Sequence, residues 1–146
     1  MRRLTIAVLF CVVPVFCLAQ QATHKLSDFA GTWQANFNGT PFMILNLAVK
    51  DGHLTGSASF GDINADPNGV ITAVEAPTAD SPIVSSRLLS TGLLELTSRG
   101  DDPDDTIVVV LKLIDAKTGS VRFGPAMGHE AMVVKPIPVH RIEPKS

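Results

Sequence analysis

From Gly31 onward the chain alternates between apolar and polar positions. Trp33, Ala35 and Phe37 interleave with Thr32, Gln34 and Asn36, the two-residue period of a strand whose faces meet different surroundings. Asn38-Gly39 follows, and Asp51-Gly52 ends the next run; both dipeptides tolerate the positive φ that tight hairpin turns require. Three strands in a meander are therefore predicted between Gly31 and Phe60. A two-residue turn at Asn38-Gly39 puts Phe42, Ile44, Asn46 and Ala48 on the face of Trp33 and leaves Met43, Leu45, Leu47 and Val49 opposite. The second strand is then apolar on both faces, so either its outer face is covered or a three-residue turn shifts the register. In the third strand, Leu54 to Phe60, the residues Leu54, Gly56, Ala58 and Phe60 oppose Thr55, Ser57 and Ser59, a hydroxyl face suited to water.

The later chain repeats the pattern more loosely. Gly61 to Gly69 reads as a loop, Val70 to Val74 as a short strand, and Pro77 and Pro82 break a second loop. Ile83 to Leu89 and Leu93 to Thr97 pair as a hairpin through Ser90-Thr91-Gly92, and Thr106 to Ile114 and Ser120 to Phe123 follow as strands. The last strand, Val133 to Ile142, carries Pro136 and Pro138, which delete donors on one edge. That edge is expected to be unpaired, with the sheet closing imperfectly there or ending in a tail. No segment keeps a helical period over three turns, and turn signals recur roughly every eight to twelve residues. The expectation is an all-β fold, a small antiparallel barrel of about eight strands.

Before Gly31 the character is different. Met1-Arg2-Arg3 is a short basic start, Leu4 to Leu18 is almost unbroken apolar sequence, and Cys17-Leu18-Ala19 offers small residues for a signal peptidase. A cleaved export signal over 1–19 is expected, followed by a lead over 20–30, a barrel domain over 31–142 and a tail over 143–146. The apolar run is shorter than the roughly 20 residues of a spanning helix, so no stable membrane span should remain after cleavage, although an uncleaved N-terminal anchor is the other reading. Cleavage leaves 127 of the 146 residues, enough for one domain. Cys11 and Cys17 depart with the leader, so stability must come from packing rather than disulfides. Arg2 and Arg3 depart too, and the formal net charge moves from −2 to −4, which offers nothing to nucleic acid. The location expected is secreted or periplasmic.

Phe29-Ala30-Gly31-Thr32-Trp33 at the first strand and Asp51-Gly52-His53-Leu54-Thr55-Gly56-Ser57 at the third resemble the calycin barrels: lipocalins, fatty-acid-binding proteins and especially avidin-like proteins. The resemblance covers Gly31 to Phe60. It implies an up-and-down antiparallel barrel with Trp33 plugging one end beneath an arginine of the final strand, Arg141 or else Arg122. Avidin-like biotin sites use an asparagine, a serine, a tyrosine and a second serine where this chain has Ala35, Thr40, Ala58 and Phe60. With one tryptophan and no tyrosine, biotin binding is not supported.

Three places are candidates for chemistry. The predicted inward face sets small residues, Ala35, Ala48, Gly56 and Ala58, against Trp33, Phe37, Phe42 and Phe60. It is either a core filled by its own side chains or a pocket for a small apolar molecule, the ligand set then being Trp33, Ala35, Phe37, Phe42, Ala58 and Phe60. Asp62, Asn64 and Asp66, alternating ahead of Gly69, resemble the start of a calcium loop, with Glu75 as the far ligand. The glycine stands too late and the flanking helices are missing, while Asp, Asn, Pro and Gly are also ordinary turn residues. Calcium is accordingly the one cofactor to consider, and none is required. The carboxylates around Pro103 read as a solvated hairpin tip. Gly128-His129-Glu130 lacks the second histidine of a zinc hydrolase, no nucleophile elbow is present, and the chain expected after cleavage keeps no thiol.

The sequence thus predicts an exported, non-enzymatic binding protein that holds a small apolar ligand in a barrel. The alternative is a module with a dry core that binds an envelope protein, as small periplasmic protease inhibitors do. That alternative rests on the apolar second face of the second strand and on the polar lead Gln20 to Leu26.

Overall fold

The computed structural model describes residues 24–89, 92–100, 102, 104–124 and 133–143. A short 3-10 turn, η1 (Leu26–Phe29), precedes ten strands. They are β1 (Gly31–Phe37), β2 (Thr40–Lys50), β3 (His53–Phe60), β4 (Ile63–Ala65), β5 (Ile71–Val74), β6 (Ser81–Leu88), β7 (Leu93–Arg99), β8 (Thr106–Leu113), β9 (Thr118–Phe123) and β10 (Ile137–Ile142). Eight of them close into an antiparallel up-and-down barrel in the order β1-β10-β9-β8-β7-β6-β3-β2, and β4 and β5 form a separate two-stranded sheet inserted between β3 and β6. The sequence reading put β4 inside a loop; three residues are too few to show a period. The expected export signal and Gly128-His129-Glu130 lie outside the described residues. Among those residues, no helix is long and apolar enough to cross a membrane.

Both predicted hairpin turns form. Asn38 and Gly39 (φ 49° and 83°) and Asp51 and Gly52 (φ 51° and 77°) take the left-handed conformations that match the twist of the flanking strands. The faces of β2, however, are the reverse of those expected. Phe37 pairs with Thr40 and Asn36 with Pro41, as a two-residue turn dictates, but Ala35 then pairs with Met43. Phe42 is the extra residue of a β-bulge, and beyond it every side chain of β2 changes face. Met43, Leu45 and Leu47 become core, while Asn46 and Ala48 are exposed. Phe42 itself stays buried, because the bulge turns it inward beside Met43. The second apolar face of β2 therefore does not exist, and Ala48 leaves the inward set. Outside, Thr32 Oγ1 donates to Asn46 Oδ1 (2.9 Å), the polar ladder expected on a wet face.

The interior is one apolar cluster to which Trp33, Ala35, Leu45, Ala58, Leu94, Leu96, Leu111, Val121 and Val139 contribute side chains with no exposed surface. At the η1 end, Trp33 Nε1 donates to the Phe29 carbonyl (2.8 Å), and the Arg141 guanidinium lies 4.6 Å over the Trp33 ring while donating to the Asp28 carbonyl. Arg141, opposite Trp33 in the ladder, therefore takes the place left open between it and Arg122, which is exposed. At the far end Phe60 and Phe123 meet with ring centroids 5.9 Å apart. Ile63, Ile71 and Val74 of the β4–β5 hairpin pack against this core.

Pro136, just before β10, and Pro138 within it do not leave the barrel open. Ile137 to His140 pair with β9, and pairing with β1 begins only at His140, past both prolines. Missing donors on one edge shorten that seam to three residue pairs rather than abolish it.

Candidate functional site

The wall is weakest elsewhere. β3 and β6 share a ladder of two residue pairs, Ser57 with Pro82 and Ala58 with Ser81. Pro82 brings no N–H to that ladder. Beyond it toward the η1 end, the bulge at Val84, between Ile83 opposite Ser98 and Ser85 opposite Thr97, bends β6. The strands separate into a cleft of about 270 Å³ lined by His53, Leu54 and Thr55 on β3 and Ile83, Val84, Ser85 and Ser86 on β6.

Hydroxyls bridge the gap where main-chain pairing fails. Ser86 Oγ donates to the Leu54 carbonyl (2.9 Å), and at the other end of the seam Ser59 Oγ, buried, donates to Asp80 Oδ1. Ser86 occupies an inward-facing position, opposite the buried Leu96. Val84 projects outward with 49 % of its surface exposed.

The cleft sets polar and apolar groups side by side. Its hydroxyls and main-chain edges can form hydrogen bonds, and Ile83 and Val84 offer apolar contact. Since Ser86 donates to a main-chain carbonyl rather than to a base, the contact that would activate a nucleophile is not made there. At about 270 Å³ the cleft is smaller than the usual small-molecule pocket, roughly 300–1,000 Å³, and suits one or two side chains of a partner.

Of the residues proposed from sequence for an apolar ligand, Trp33, Ala35, Phe42 and Ala58 are at most 1 % exposed within the core cluster, and Phe37 and Phe60 pack against it. The six lie together, in contact with the barrel's own side chains. The residues proposed for calcium are spread along the β4–β5 hairpin. Asp62 and Glu75 flank its open end, where Glu75 N donates to the Asp62 carbonyl (2.9 Å). Asp66 sits at the turn, and its Oδ1 accepts from the N–H groups of Asn68 (2.9 Å) and Val70 (2.8 Å). These bonds, that of Val70 foremost, hold its carboxyl below the ordinary 3.8, opposed by desolvation. The Asp66 carboxylate thus serves its own turn, and among the described residues no three His, Cys, Asp or Glu side chains converge as a metal site would require.

The cleft was not visible in the sequence. Its available signals were Pro82 beside Ser81 and the serine pair Ser85-Ser86 at the middle of a strand, which together mark a wall strand poor in core-forming residues. Comparison of the chain with protein-family models, with curated proteins and with solved structures finds no match.

Proposed function

We propose that this is an exported, non-enzymatic interaction module with a calycin-like barrel, a dry core and a protein partner that engages the β3–β6 seam. The observation that carries the reading is the contrast between an interior occupied by its own side chains and a wall cleft with hydroxyls, main-chain edges and an outward valine. The placement of Trp33 beneath Arg141 supports the calycin-like assignment, although fold alone says nothing of the partner. Met43, Leu45 and Leu47, three of the four residues expected on an outer face of β2, are core, so the seam replaces that face as the basis of the interaction.

The test is site-specific photocrosslinking in the exported chain. A benzoylphenylalanine at Val84 is expected to trap one discrete partner, and the same group at Val70, on the hairpin, is expected to trap none. A small organic molecule retained in the native mass spectrum of the purified chain would overturn the dry-core reading and return the function to a ligand held near Trp33.

A further inference from the structure

In an antiparallel pair every second residue exchanges main-chain hydrogen bonds with a given neighbour. Lys50 pairs with His53 across the two-residue turn, and past the other end of β3 the Gly61 N–H donates to the Phe42 carbonyl (2.8 Å). His53, Thr55, Ser57 and Ser59 therefore turn their N–H and C=O groups toward β2, and Leu54, Gly56 and Ala58 turn theirs toward β6. Ala58 is met there by Ser81, but Leu54 and Gly56 have no paired residue on β6. On the facing wall the Leu89 N–H donates to the Leu93 carbonyl (2.7 Å), so Leu89 and Arg87 face β7 while Ser86 and Leu88 present their main chain to the cleft.

Two facing edges with main-chain groups left over are what an added strand needs. Ser86 Oγ takes the Leu54 carbonyl (2.9 Å), which leaves the N–H groups of Leu54 and Gly56 still to be met. The side chains fit the same use. Leu88 stands at an inward position opposite the buried Leu94, yet is 40 % exposed, because β3 has already turned away at Gly52 by its level. Thr55, Val84 and Ser85 are exposed along the outer side of the cleft. Resting on the seam as the site of contact, we propose that the partner delivers an extended segment that enters the β3–β6 fork as an added strand. It accepts hydrogen bonds from the Leu54 and Gly56 N–H groups, exchanges them with the main chain of Ser86 and Leu88, and turns apolar residues at alternate positions in toward Leu54 and Leu88. Seating it parts the walls to about 9.6 Å, twice the strand spacing, and gives up the Ser86 hydrogen bond.

A second copy fits the fork less well. The β3 edge free of the ladder runs from His53 to Gly56, a strip about 13 Å long, and a curved wall of another barrel could meet little more than that strip. A standard stable interface buries about 800 Å² per partner. A lone extended segment is under no such limit, because it enters the fork and buries both of its edges at once.

The experiment follows amide exchange of the purified exported chain by nuclear magnetic resonance. The probe is a short synthetic peptide of alternating valine and threonine, and the control is the same peptide N-methylated throughout, which leaves it no donor. Exchange at Leu54, Gly56, Ser86 and Leu88 is expected to slow several-fold with the first peptide and to stay unchanged with the second. No slowing at those amides, or equal slowing by both peptides, overturns the added strand. So does slowing that grows with protein concentration in the absence of peptide, which would assign the fork to a second copy. The benzoylphenylalanine at Val84 separates the two failures. If it still traps a partner when the peptide slows nothing, the partner docks through side chains and only the added strand falls; if it traps none, the seam falls with it.

Discussion

Along one edge β3 is paired with β2 over eight positions, from Met43 opposite Phe60 to Lys50 opposite His53; along the other its ladder with β6 has two. The residues of β3 are the same in both cases, so the difference lies in how each neighbour is reached. β2 arrives through Asp51-Gly52, a turn that sets register locally and closes the ladder at once. β6 arrives across the Gly61–Asp80 connection, with no turn to dictate register, a proline in its ladder and a bulge that bends it away. A locally specified edge is sealed, whereas an edge assembled from distant segments keeps a gap.

Emptying the sealed side should cost most. Phe42→Ala removes the bulge residue at the β1–β2 corner and is expected to lose about 3–5 kcal/mol, read by denaturant unfolding. Gly56→Ala comes next. Gly56 has φ 140°, and a Cβ there would collide with the Asn46 carbonyl oxygen, so a loss of about 2–4 kcal/mol is expected in the same assay. A near-neutral Gly56→Ala would mean that the β2–β3 edge is no tighter than the seam. Ser86→Ala, on the open side, removes one hydrogen bond to the Leu54 carbonyl and should lose only about 1 kcal/mol. Its sharper readout is hydrogen exchange: amides of β6 from Ile83 to Leu88 should exchange faster while those of β2 stay unchanged.

Val84→Asp should alter stability by less than about 0.5 kcal/mol, because the side chain is half exposed, yet abolish crosslinking to the seam partner. The smallest effect concerns the connection itself. Because the Asp66 carboxyl is depressed in the folded chain, its contribution is present above the ordinary 3.8 and lost as pH falls from there through the folded value. Acid titration by circular dichroism should therefore show a shallower stability loss for Asp66→Ala than for the parent chain below about pH 4. Parallel curves would remove Asp66 from the forces that hold the β4–β5 hairpin.

Much of the barrel was legible because its signals are local. Asn38-Gly39, Asp51-Gly52 and the alternation around Trp33 each specify a few residues of backbone, and strands from Gly31 to Phe60 followed from them. The faces of β2 were misread for the same reason that they were predictable in principle: one bulged residue, Phe42, reverses all that follows, and either register offers an apolar face. The seam was invisible, because a gap between β3 and β6 is a property of two segments separated by the Gly61–Asp80 connection.

By itself, then, the sequence determined an all-β chain, its tight turns, and Trp33 as the anchor of the first strand, since backbone conformation and two-residue periodicity are set within a few bonds. Only the tertiary structure decided that Met43 and Leu45 rather than Ile44 and Asn46 face the core, that Arg141 covers Trp33, and that β3 and β6 part at Val84. Those outcomes depend on which distant surfaces can be buried together, and burial is settled by the whole closed barrel rather than by any one stretch of it.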